Sequence, residues 1–174
     1  MKLLAFAASS SKNSINKKLV TYAASLLEDV QTEILDLNDY ELPLFSVDKE
    51  QELGQPALAK NFLSKISDSD GIIISFAEHN GSYSAAYKNL FDWCSRINPK
   101  LFQKKPLIFL STSPGARGGA SVLEQATKSA IFFDGNVKAS LSVPSFHDNF
   151  DIEEGKISNA EINAELTNVV KNIL

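Results

Sequence analysis

The sequence predicts an α/β fold: a doubly wound sheet of five parallel strands in the order 2-1-3-4-5, with helices on both faces. Short apolar runs alternate with segments of helical period along the chain, the pattern of a parallel sheet flanked by helices. The run Gly71–Phe76, GIIISF, is continuous in its β-branched character, as a central strand covered on both faces requires. Right-handed crossovers leave few arrangements for five such units, and 2-1-3-4-5 is the common one. The 174 residues, 44% of them hydrophobic, suit a single domain spanning 1–174 with one sizeable core.

The elements follow in order. The first strand lies at about Lys2 to Ala8. A helix is predicted over about Ile15 to Glu28, because Ile15, Leu19, Tyr22, Ala23 and Leu26 recur at helical spacing. Thr32 to Leu37 forms the second strand, and residues 38–55 read as a long irregular connection. That connection contains the apolar cluster Leu42-Pro43-Leu44-Phe45, which a second subunit is expected to cover. The second helix carries Leu58, Phe62 and Ile66 and leads to the third strand, Gly71–Phe76. The third helix sets Ala86, Leu90, Trp93, Cys94 and Ile97 on one stripe, with Asp92 and Arg96 spaced for a surface ion pair. The fourth strand is Pro106–Thr112, PLIFLST, and the fourth helix runs from Ala120 to about Phe132. The fifth strand is Val137 to Val143, and a last helix buries Ile162, Leu166, Val169, Val170 and Ile173.

Composition narrows the function. A formal charge of −4 argues against an extended nucleic-acid surface. The single cysteine, Cys94, excludes an internal disulfide and a cysteine-rich zinc site, and a cytoplasmic setting is expected. The apolar run Leu3–Ala8 is shorter than the ~7–15 residues of a signal core. No stretch approaches the ~20 apolar residues of a membrane span. His147 and Asp148, near Glu153 and Glu154, read as a polar surface loop rather than a metal cluster. A response-regulator reading fails because the first and third strands end in small or apolar residues, where an acidic pocket is needed.

In a 2-1-3-4-5 sheet the ligand crevice lies outside the carboxyl ends of strands 1 and 3. The loop after the first strand reads AASSSKNSINKKL. Ser14 is the predicted N-cap of the following helix, whose first turn exposes unpaired N–H groups suited to a phosphate. Ser9, Ser11 and Ser14 add hydroxyl donors, and Asn16 an amide donor. The loop lacks the GxxxxGK[ST] of a P-loop and the GxGxxG of a dinucleotide fold. The loop after the third strand contains Gly81, which permits positive φ or close backbone approach.

The segment AEHNGSYSAAYKNLFDW resembles the PEYNGSYP…LKNAIDW signature of the NADPH-dependent FMN reductase family, and AASSSKNSIN resembles that family's GSxRxxSxN loop. Ser111 to Gly119, STSPGARGG, is similar to its third, glycine-rich loop. The likeness covers nearly the whole chain in element order and implies a flavodoxin-like fold. It implies that Ser9, Ser11, Ser14, Ile15 and Asn16 hold the phosphate of FMN. Ala77, Glu78, His79, Asn80, Gly81 and Ser82 would then border the isoalloxazine on one side. Ser113, Gly115 and Gly118 would border it on the other. Ser11 stands where the family often has arginine, a charge that Lys12 would partly replace; Ala77 and His79 replace its usual proline and tyrosine. The resemblance further implies NADPH or NADH as electron donor, a small-molecule acceptor (a quinone, another flavin, an azo compound or an oxidised metal), and a homodimer or homotetramer. No side chain is nominated as catalytic, because the flavin carries the chemistry. The alternative is a flavodoxin-like electron carrier that binds FMN without direct NAD(P)H turnover. Arg117 would meet a nicotinamide phosphate or restrain its own loop.

Overall fold

The run Gly71–Phe76 forms β3, with every residue buried. The computed structural model describes residues 1–174 and pairs β3 in parallel with β1 (Lys2–Ala8) on one side and β4 (Pro106–Thr112) on the other. β2 (Gln31–Leu35) adds beyond β1 and β5 (Asn136–Val143) beyond β4, so the order is 2-1-3-4-5 as predicted. Alternate residues of each central strand serve opposite faces. Leu4, Phe6, Ile72, Ile74, Leu107 and Phe109 enter one core, with α3 (Ala57–Ser67), α4 (Ala85–Ile97) and α5 (Ala120–Ser129). Leu3, Ala5, Ile73, Ile108 and Leu110 enter the other, with α1 (Ile15–Ser25) and α7 (Ala160–Lys171). Each fully buried side chain of this size contributes about 1.5–3 kcal/mol relative to exposure.

The predicted bounds shift where polar side chains compete with regular ladders. The first helix ends at Ser25, and the chain reverses through Asp29 at φ 57° rather than continuing to Glu28 as helix. β2 ends at Leu35 because Asp36 accepts the Asn38 N–H and caps a 3₁₀ turn, Leu37–Tyr40. The connection over 38–55 is not irregular: Ser46 caps α2 (Val47–Leu53), and Gly54 closes it at φ 66°. α2 buries none of its residues, so it carries no apolar period to read. The fourth helix passes into a 3₁₀ turn, Ala130–Phe133. After β5, the expected loop contains α6 (Phe146–Asn149) and a small hairpin, β6 (Phe150–Asp151) with β7 (Lys156–Ile157). Phe146 and Phe150 stack at 4.6 Å between ring centroids and seat this excursion on the α7 side.

The Asp92–Arg96 pair is corrected. Lys88 Nζ takes Asp92 at 2.7 Å, and Arg96 Nε reaches Glu50 of α2 at 3.0 Å, because the fold brings α2 alongside α4. The same face of α4 pins the apolar cluster. Trp93 Nε1 donates to Pro43 O at 2.7 Å, Asn89 Nδ2 donates to Leu42 O at 3.0 Å, and Asn89 Oδ1 accepts Phe45 N–H at 2.8 Å. Leu42 and Phe45 are thereby half-buried against their own chain, while Leu44 stays 80% exposed. Cys94 is fully buried, and burial pushes its thiol up to about 12, so it stays protonated and is no nucleophile. No helix is long and apolar enough to cross a membrane.

Candidate cofactor cleft

β1 and β3 end level, with Ala8 opposite Phe76, and β4 runs one residue further, with Phe76 opposite Ser111. Their following loops therefore leave the same end of the sheet, where the connections after β1 and β3 pass to opposite faces, and they line a cleft of about 230 Å³. Nine of the residues singled out in the sequence line it: Ser9, Ser11, Ser14, Ile15, Asn16, Ala77, Glu78, His79 and Ser113. Asn13, Thr112 and Pro114 complete the wall and were missed. Thr112 carried a signal, being a polar residue at the end of an apolar strand at the switch point.

The first loop is folded on itself. Ser11 N–H donates to Ser9 Oγ, Ser14 N–H to Ser11 O, and Lys17 N–H to Ser14 Oγ, each at 3.2 Å. Ser14 is thus the N-cap of α1, as predicted. Both Ser9 Oγ and Ser14 Oγ accept from backbone, which leaves their hydroxyl hydrogens free to donate. The N–H groups of Ile15 and Asn16 lie in the first helical turn, where intrahelical acceptors are lacking, beside the cleft. The Asn16 carboxamide is engaged elsewhere, 2% exposed and hydrogen-bonded to Ser75 and Thr112.

None of the lysines in this loop lines the cleft. Lys17 instead pairs with Asp36 at the end of β2. That hydrogen bond, with the Asn38 N–H, holds the Asp36 carboxyl at about 2. A carboxyl lowered in the folded state stabilises above its unfolded value of about 3.9 and loses that contribution as pH falls through 2. Both side chains are about one third exposed, so screening limits the pair to about 1 kcal/mol or less. Asp36→Asn is therefore expected to lower stability slightly at pH 7 and to match the parent below pH ~2, as urea unfolding across pH will read out.

The second loop is a two-residue hairpin. His79 and Ser82 exchange backbone bonds of 2.9 and 3.1 Å, and Asn80 and Gly81 take φ 51° and 77°. Asn-Gly at two left-handed positions is the favoured reversal of this kind. A Cβ on Gly81 would meet nothing within 4 Å, so glycine serves the φ angle there. Glu78 Oε2 accepts Val122 N–H at 2.9 Å, placing a carboxylate on the positive end of α5. Ser82 Oγ donates to Gln125 Oε1 at 2.9 Å. Asn80 and Gly81 therefore form an exposed tip beyond the cleft, and Ser82 faces α5 rather than the cleft. Ser84 caps α4, and its Oγ also donates to Ala8 O at 2.8 Å.

The third loop is held from below. Gly115 O accepts from Gly118 N–H at 3.1 Å and from Ser145 N–H at 3.0 Å, so Gly115 is exposed outside the cleft wall. Gly118 is buried away from the cleft at φ 57°, with an added Cβ falling 2.5 Å from Ser142 Oγ. Arg117 restrains its own loop, donating from Nη2 to Ser121 Oγ at 2.6 Å. A larger, more apolar cleft of about 420 Å³ lies beyond Ser10, between residues 37–44 and the start of α4. Unpaired backbone and hydroxyl donors converge in the smaller cleft.

An uncharacterised Mycoplasma pneumoniae protein is 34% identical over 148 residues, 82% of this chain and 87% of that one. The Escherichia coli quinone reductase is 32% identical over 106 residues, 61% of this chain, which spans only 55% of the enzyme. The solved structure of the flavoenzyme NAD(P)H:(acceptor) oxidoreductase FerB from Paracoccus denitrificans superposes with a TM-score of 0.82 at 21% identity. It covers 99% of this chain and 94% of its own, a likeness of fold. With residues 1–148 matching as a unit, across all three loops of the cleft, the chain belongs to the NADPH-dependent FMN reductase family.

Proposed function

We propose that the cleft holds FMN and that the protein is an NAD(P)H-dependent oxidoreductase serving a small acceptor, a quinone first among them. One observation carries this reading: the unpaired N–H groups of α1 and the free serine hydroxyls meet the loops of β3 and β4 in one polar cleft. These residues suit an FMN tail. Ser9, Ser11 and Ser14 would donate to phosphate oxygens together with the Ile15 and Asn16 N–H groups, so that neutral dipoles replace the arginine common in the family. The backbone of 77–82 and of 113–115 would border the ring system. Held there, FMN would supply two-electron redox chemistry between NADPH or NADH and the acceptor.

The chain's own part is binding and orientation. The Glu78–Val122 and Ser82–Gln125 bonds hold the hairpin rigidly on α5, which keeps its backbone groups at a fixed distance from the serine loop. We extend the reading to a cytoplasmic homodimer or homotetramer. Leu44, Val47 and Leu53, exposed at 80%, 59% and 48%, provide an apolar surface for self-association.

The test is titration with FMN, followed by flavin absorbance and fluorescence, and then NADPH and NADH oxidation with benzoquinone. Saturable uptake and acceptor-dependent turnover are expected; a folded protein that takes up no FMN ends the proposal. Ser14→Ala removes a donor to a charged ligand, a change of about 1.5–3 kcal/mol, or roughly 10- to 100-fold in FMN affinity. Its loss as a helix cap costs about 1 kcal/mol of stability, so retention falls in a protein that still folds.

A further inference from the structure

We infer that Asn16 is a positioning residue: its carboxamide sets the first turn of α1 against the ends of β3 and β4, keeping the phosphate donors and the third loop in one spacing. The inference rests on the cleft being the FMN site.

A polar side chain in the first turn of a helix ordinarily faces water, yet Asn16 is 2% exposed. All of its side-chain bonding goes to the sheet. Oδ1 accepts Ser75 Oγ at 2.8 Å and Thr112 N–H at 3.0 Å, and Nδ2 donates to Thr112 O at 3.1 Å. The register explains why Thr112 needs this partner. β3 ends at Phe76, opposite Ser111, so Thr112 has no strand neighbour on that side. Asn16 supplies a peptide-like donor and acceptor in its place. Because Thr112 offers both an N–H and a C=O, only one orientation of the carboxamide satisfies it. On the other side Thr112 pairs with Val143 of β5, and its Oγ1 donates to Val143 O at 2.7 Å. A buried line of hydrogen bonds thus runs from α1 through β4 to β5. The next residue, Ser113, is a wall of the cleft, and the N–H of Asn16 itself is one of the proposed phosphate donors.

Aspartate separates this role from mere packing. Ionised, it accepts from Ser75 and Thr112 N–H but repels Thr112 O; protonated, it donates to Thr112 O as asparagine does. Burial favours the protonated form. The groups facing position 16 from β3 and β4 are the neutral hydroxyls of Ser75 and Thr112, while Glu78 and His79 line the cleft and Lys17 and Asp36 flank α1. These titratable groups are common to both proteins, so the variant-to-parent affinity ratio isolates the substituted residue.

The experiment measures FMN affinity by fluorescence quenching for the parent, Asn16→Asp and Ser75→Ala at pH 5.5 and 8, with folding followed by circular dichroism. Asn16→Asp is expected to bind about 30-fold more weakly at pH 8 and to return to within about threefold of the parent at pH 5.5. Ser75→Ala lies outside the binding groups, keeps the fold, and is expected to weaken FMN by about threefold or more at both pH values. Amide exchange at Thr112 in the FMN-free protein is expected to speed up in Asn16→Ala, a readout independent of the cofactor. Parent-like affinity of folded Asn16→Asp at pH 8, a deficit that pH does not relieve, or an unchanged Ser75→Ala overturns the inference. If the parent takes up no FMN, the cofactor reading fails and carries this inference with it, even where Thr112 exchange responds.

Discussion

Trp93→Ala is expected to lower the unfolding free energy by about 3–5 kcal/mol, the largest effect of any single change considered. The indole is 1% exposed, stands edge-on to Phe45 at 5.1 Å between ring centroids, and donates Nε1–H to Pro43 O. Truncation opens a cavity under α4 and frees a carbonyl of the 42–45 segment at once. For a chain of this size each kcal/mol shifts the melting temperature by ~2–4 °C, so a fall of about 6–20 °C is expected in a thermal scan. Trp93→Phe distinguishes the two causes. It retains most of the apolar surface and loses the hydrogen bond, which predicts a smaller loss of about 1–3 kcal/mol. A Trp93→Phe as damaged as Trp93→Ala would show that the bond to Pro43, rather than the buried ring, secures the segment.

Gly118→Ala is the second large effect, and it reaches the cleft. Gly118 combines φ 57° with an added Cβ 2.5 Å from Ser142 Oγ and 2.7 Å from Val143 O. Ser142 Oγ also donates to Gly118 O at 3.0 Å, and Ser111 Oγ donates to the same carbonyl at 2.8 Å, so the neighbours are already committed. A left-handed alanine costs about 1–2 kcal/mol and overpacking about 1–3 kcal/mol. Together they predict a loss of about 2–5 kcal/mol in denaturant unfolding. The substitution also displaces Gly115 O, which receives the Gly118 N–H, and with it the third loop beside Ser113. FMN affinity is therefore expected to fall along with stability. Gly81→Ala makes the contrast: its Cβ meets nothing, so strain at φ 77° acts alone and the loss stays at about 1–2 kcal/mol. Equal stability losses in the two variants would refute the crowding argument.

The strand order, both central strands and the N-cap at Ser14 were legible in the sequence. Each follows from local chemistry: GIIISF and PLIFLST have a composition that only burial on both faces satisfies, and Ser14 precedes an apolar stripe at helical spacing. The meeting of the first, third and fourth strand ends followed in turn from handedness and crossover rules. What the chain did not disclose depends on groups distant in sequence. Asn16 had the look of a phosphate donor because its loop is rich in hydroxyls; its carboxamide is spent on Thr112, 96 residues away, because β3 stops one residue short of β4. Gly118 had the look of a ring contact, and the close approach of β5 turned it inward. α2 left no apolar period, and Arg96 found Glu50 rather than the neighbour four residues back. Periodicity and caps are written in adjacent residues and can be read there. The partner of a buried polar group is chosen by which strand ends where, and that is decided only when the sheet is assembled.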